Sequence, residues 1–122
     1  MSGWMGVDFD GTLAVSGTKR FDGPLGKPIP AMVARVKEWI AQGIEVRIFT
    51  ARVSPLDKDG SVQDKAALAS VRERLADWSE EHVGKRLEST CEKDHNIILL
   101  WDDKAIQVIR DTGKTLEETL NG

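Results

Sequence analysis

The chain is poor in the features that commit a protein to a specialised class. Cys91 is its only cysteine, which excludes an intrachain disulfide framework and a cysteine-rich zinc site and fits a reducing compartment. Its two histidines, His82 and His95, have no partner at ligand spacing. His82 falls on the apolar stripe of a predicted helix and reads as packing. No apolar run approaches the ~20 residues needed to cross a bilayer, and Met1 to Val7 is too short for a signal peptide. No sign of charge dominates either: a formal net charge of -3, with 30% charged residues, gives neither a strongly basic nucleic-acid face nor an acidic tail. These absences lead us to expect a soluble, cytoplasmic protein that does not engage membranes. Its 122 residues suit a single domain, 1–122, with a real hydrophobic core.

Strand-like and helix-like stretches alternate along the chain. Gly3 to Val7 is short and mostly apolar, as in a buried strand that ends at Asp8. Gly11 to Ile29 contains four glycines and two prolines and reads as a long loop or flap. From Pro30 to Gln42, Val33, Val36 and Ile40 share one helical face, with Pro30 suited to the first turn and Gly43 to the stop. Ile44, Val46 and Ile48 then alternate with less apolar neighbours, predicting a strand that ends at Thr50. Leu68, Val71, Leu75, Trp78 and His82 mark the inner face of a long helix that Gly84 stops. Ile97 to Trp101 is an uninterrupted apolar run, predicting a buried strand. Ala105 to Ile109 is ambiguous between strand and helix, and Lys114 to Leu120 reads as a surface helix. The order is that of an α/β domain with a mainly parallel sheet.

The acids give this order a meaning. Asp8 and Asp10 stand one residue apart behind the first strand, in Gly-Val-Asp-Phe-Asp-Gly-Thr-Leu-Ala. Residues i and i+2 of an extended segment share a side, so a bound cation or a backbone turn must relieve their repulsion. The last strand also ends in acids, Asp102 and Asp103. Ligands of open α/β sheets bind outside the carboxyl ends of the strands. The topology therefore gathers Asp8, Asp10, Thr50, Asp102 and Asp103 at one edge, a plausible hard-cation site for an ion such as Mg2+, which takes oxygen ligands.

Three stretches together resemble the haloacid dehalogenase-like (HAD) phosphohydrolases. Asp-Phe-Asp-Gly-Thr-Leu (Asp8 to Leu13) resembles their first motif, Ile-Phe-Thr-Ala-Arg (Ile48 to Arg52) their second, and Leu-Leu-Trp-Asp-Asp (Leu99 to Asp103) their fourth. The resemblance runs from about Trp4 to about Ile109. It implies a Rossmann-like, three-layer core in which Asp8 is the nucleophile that forms an aspartyl-phosphate, and Asp10 the general acid and base. Mg2+ would be held by Asp8, the backbone carbonyl of Asp10, and Asp103 or Asp102, with Asp103 favoured. Thr50 and a lysine would hold the phosphate oxygens; Lys93 fits the spacing and Lys65 is its rival. About forty residues separate the first two motifs, too few for a separate cap domain. Capless relatives act on large substrates or borrow a lid from a neighbouring subunit, so a homo-oligomer is compatible with this type. The substrate implied is a phosphorylated small molecule or a nucleic-acid end, and the flap over 15–29, with Lys19, Arg20 and Lys27, is the local candidate for contacting it. A phosphotransferase using the same aspartyl-phosphate, or a noncatalytic protein of this fold, is the alternative.

Overall fold

A computed structural model describes residues 2–17, 23–57 and 59–121. Its elements follow in the order β1 (Trp4–Asp8), α1 (Pro30–Ala41), β2 (Glu45–Phe49), a 3-10 turn (Ala51–Val53), α2 (Lys65–Val83), β3 (Ser89–Thr90), β4 (Ile97–Trp101) and α3 (Leu116–Asn121). The four strands form one sheet in the order β3-β2-β1-β4, and every pairing is parallel. This is the expected three-layer α/β class, a small Rossmannoid domain with helices flanking the sheet and, among the described residues, no separate cap domain.

Alternation along β1 sets the architecture. Met5, Val7 and, just past the strand, Phe9 join the buried cluster with Met32, Val33 and Val36 of α1 and Val71, Leu75 and Trp78 of α2. Phe9 is fully buried and meets Trp78 edge to face, with ring centroids 4.9 Å apart, a geometry that aligns the ring quadrupoles. The residues between them point to the opposite side of the sheet. There Trp4 donates its indole N–H to Asp94 at 2.8 Å and lies under the Arg47 guanidinium at 4.6 Å, so a buried indole has both a polar partner and a cationic cover.

The helices begin and end where the sequence marks them. Pro30 occupies the first turn of α1, where its missing N–H costs nothing. The Asp64 carboxylate caps α2 by accepting from the Ala67 N–H at 3.3 Å, and Gly84 closes it at φ 86°, the left-handed turn that glycine adopts without penalty. Ser79, fully buried within α2, accepts from the Leu87 N–H at 2.9 Å and fixes the chain as it turns toward β3.

Three features differ from the sequence reading. The strand β3 was not foreseen: Ser-Thr carries no apolar pattern and is ordered by pairing with Ile48 and Phe49 of β2. The run Ile97 to Trp101 is a strand but not a buried one, since Leu99 is 52% and Ile98 43% exposed. It lies at the sheet edge, and α3 buries none of its own residues. Ala105 to Ile109 forms neither helix nor strand; Val108 makes an isolated antiparallel bridge with Thr115. The loop over 15–29 is tied at its base, where Val15 N–H donates to Lys27 at 2.8 Å and Ile29 N–H to Leu13 at 2.9 Å. Its Lys19 and Arg20 lie outside the described residues, and Lys27 is exposed. Among the described residues no helix is long and apolar enough to cross a membrane.

Phe9 anchors both the core and the placement of its acidic neighbours. We expect Phe9→Ala to lower unfolding free energy by about 3–5 kcal/mol, the range for emptying a buried aromatic site. Urea unfolding with an unchanged slope measures it, and a loss below about 1 kcal/mol would contradict this anchoring role.

Candidate functional site

Strand register builds the site. Val7 pairs with Trp101 and Asp8 with Phe49, so the chain leaves β1 at Asp8 beside Asp102 on one flank and Thr50 on the other. Asp8, Asp102 and Asp103 each offer a carboxylate oxygen, and these oxygens lie within 4.8 Å of one another. The segment after β1 then coils tightly: Leu13 N–H donates to the Asp8 carbonyl at 3.1 Å and Ala14 N–H to Phe9 at 2.9 Å. Gly11 allows this coil, with φ 91°, and also allows a close approach, because a Cβ there would stand 2.8 Å from the Asp103 carboxylate. Any side chain at position 11 is both strained and obstructed.

Thr12 links the acids. Its hydroxyl lies 3.2 Å from Asp103 Oδ1 and 3.4 Å from Asp8 Oδ2, with one proton to donate between them, and it accepts from the Asp103 N–H at 3.1 Å. Burial, first, then a hydrogen bond to Asp103 and the charges of Asp102 and Asp103 push the Asp8 carboxyl up from 3.8 to about 7; Thr12 opposes them weakly. The hydrogen bond from Asp8 is the main reason that the Asp103 carboxyl is lowered. The clustering favours the protonated form of Asp8, because three anions this close cannot all be ionised cheaply.

Asp10 is not part of that cluster. Its two carboxylate oxygens accept from the Arg52 guanidinium at 2.7 and 2.9 Å, a fork geometry. Thr50 is buried and accepts from the Arg52 N–H at 3.1 Å. Lys93 is exposed on the connection between β3 and β4, and Lys65 is exposed at the first residue of α2. Among the described residues neither makes an ion pair. His82 packs against Trp78 with the rings tilted by 58° and their centroids 4.6 Å apart, in keeping with a packing role. An open cleft of about 340 Å³, lined in part by Thr12, Met32, Arg35, Trp101 and Asp103, adjoins the acids.

The sequence reading gave no role to Arg52, which is only 5% exposed. The sole signal was its place two residues beyond the end of the second strand. A fork-shaped cation there reaches whatever leaves the neighbouring strand, but that geometry is visible only once β1 and β2 are paired.

Comparisons with family models, with curated proteins and with solved structures find no match. The site therefore stands on its own geometry: a clustered acidic site at the carboxyl edge of a parallel sheet, able to hold a metal ion and consistent with a catalytic pocket.

The raised Asp8 carboxyl makes stability depend on pH in a defined direction. A carboxyl raised from 3.8 to about 7 favours folding most below the unfolded value, and that contribution is lost as pH rises through about 7. In metal-free protein, Asp8→Asn should therefore gain more stability over the parent at about pH 8 than at about pH 5. Thermal melts in chelator at both pH values measure this. An equal increment at both would contradict the clustered-acid arrangement.

Proposed function

We propose that this chain is a Mg2+-dependent phosphatase of the HAD type, hydrolysing a phosphomonoester through an aspartyl-phosphate on Asp8. One observation carries the reading: Asp8, the expected nucleophile, shares a 4.8 Å cluster with both acids of the last strand, joined through Thr12. The donor set fits Mg2+, being all oxygen, anionic and attached to short side chains on strand ends. Asp8 and Asp103 would hold the ion with the Asp10 backbone carbonyl, and Asp102 would add charge beside them. When bound, the cation supplies charge neutralisation that lets one anion approach another.

The remaining chemistry belongs to the chain. In the first step an Asp8 carboxylate oxygen attacks phosphorus, forming the aspartyl-phosphate, an acyl phosphate, while the bond between phosphorus and the leaving oxygen breaks. Asp10 gives that oxygen a proton. In the second step Asp10 takes a proton from water as the water oxygen attacks phosphorus; the bond between phosphorus and the Asp8 oxygen breaks, releasing phosphate and restoring the Asp8 carboxylate. Thr50, whose hydroxyl proton is left to donate when its oxygen accepts from Arg52, would orient the nontransferred phosphate oxygens. Lys93 would neutralise them, reaching in from the connection before β4, with Lys65 as the competing source. Catalysis of this type is mainly positioning and charge neutralisation. Substrates of this site are phosphorylated small molecules or nucleic-acid ends, with no cap domain to select among them.

Purified protein should hydrolyse an aryl phosphate with Mg2+, lose that activity with chelator, and recover poorly with Ca2+, whose looser coordination misplaces the nucleophile. Mg2+ should also raise the melting temperature by mass action, less so in Asp103→Asn. Hydrolysis indifferent to chelation, or an equal Mg2+ shift in both proteins, would overturn the assignment.

A further inference from the structure

Arg52 lies between the two halves of the site and joins them. Its backbone N–H donates to the Thr50 hydroxyl at 3.1 Å, while its guanidinium holds both oxygens of Asp10 at 2.7 and 2.9 Å. The same guanidinium donates to the Gly23 carbonyl at 3.1 Å and the Pro24 carbonyl at 3.3 Å. The cation sits 5.8 Å from the Phe9 ring. Arg74 of α2 shares the Gly23 carbonyl at 2.9 Å, and Trp78 holds Gly26 at 3.0 Å, so this stretch of the loop is bound to the helix as well.

A buried guanidinium is costly to desolvate, and here it is compensated by a carboxylate and two carbonyls from a different part of the chain. A surface ion pair has no need of such an arrangement. The bidentate fork fixes the plane of the Asp10 carboxylate, whereas a single contact leaves it free to rotate. Each Asp10 oxygen keeps acceptor capacity beyond the bond to Arg52.

We propose that Arg52 is a positioning residue of this site: it fixes the Asp10 carboxylate in one orientation, braced against Gly23 and Pro24, so that proton transfer by Asp10 depends on Arg52 although Arg52 itself neither gives nor takes the proton. The proposal rests on the phosphatase reading above and on Asp10 as its acid and base. It separates this arginine from the Thr50 hydroxyl two residues before it, which would act on the phosphate directly.

The test compares the parent, Arg52→Lys, Asp10→Asn and the double variant, each with Mg2+ and well below its own melting midpoint so that unfolding does not enter. Each is assayed for kcat and KM on an alkyl phosphate, whose leaving oxygen needs a proton, and on an aryl phosphate, whose leaving group departs without one. Lysine keeps the charge and loses the fork. We expect Arg52→Lys to lower kcat on the alkyl phosphate by about 100-fold, the scale of misplacing a catalytic group, with a much smaller loss on the aryl phosphate and KM little changed. Adding Arg52→Lys to Asp10→Asn should cost less than about threefold more, since two residues acting through one step are not additive. Equal losses on both substrates, or losses that multiply in the double variant, would overturn the positioning role while leaving the phosphatase reading intact. A parent inactive on both substrates would remove that reading and this role with it.

Discussion

Three carboxylates share a few ångströms at the edge of this sheet, and the rest of the site is arranged around their repulsion. Asp8 ends β1 and Asp102 directly follows β4, so the β1–β4 ladder, which pairs Val7 with Trp101, delivers the two acids side by side. Asp103 is drawn in by its backbone N–H bond to Thr12. The charge is therefore imposed by the fold, and only a proton or a cation can neutralise it. Burial and the neighbouring acids raise the Asp8 carboxyl to about 7, which favours its protonated form. A group so placed is a poor nucleophile when protonated, which makes cation binding and reactivity two aspects of one constraint.

The second constraint is the burial of Phe9 between the two acids of the first motif. With its ring in the core against Trp78, the backbone on either side is fixed, and the turn that begins there, with Gly11 at its bend, separates the two carboxylates. Asp8 goes to the anionic cluster and Asp10 to a guanidinium. Two acids one residue apart are thus placed in opposite electrostatic surroundings, the condition under which similar groups can take different parts in a reaction.

Much of this was legible before any coordinates. Punctuation by Pro30 and Gly43 marked both ends of α1, and Gly84 the end of α2, to within a residue or so, because turn and cap requirements are local. The convergence of Asp8, Asp102 and Asp103 followed from strand order alone, since parallel strands deliver their carboxyl ends to one edge. What escaped was nonlocal. Ser89 and Thr90 become a strand only because Ile48 and Phe49 offer an edge, and the exposure of Leu99 depends on its strand lying at the margin of the sheet. Arg52 escaped for the same reason: its partners, Asp10, Gly23 and Pro24, lie 28 to 42 residues away.

The central claim is that Asp8 accepts a phosphoryl group, and the most direct measurement traps it there. With Asp10 as the proposed base that activates water, Asp10→Asn incubated with Mg2+ and an activated aryl or acyl phosphate, then quenched rapidly in acid and weighed intact, should show one added phosphoryl group. Peptide mapping should place it on Asp8. Phosphate release over the same time course without that adduct, together with an Asp8→Asn variant that remains active, would contradict the account.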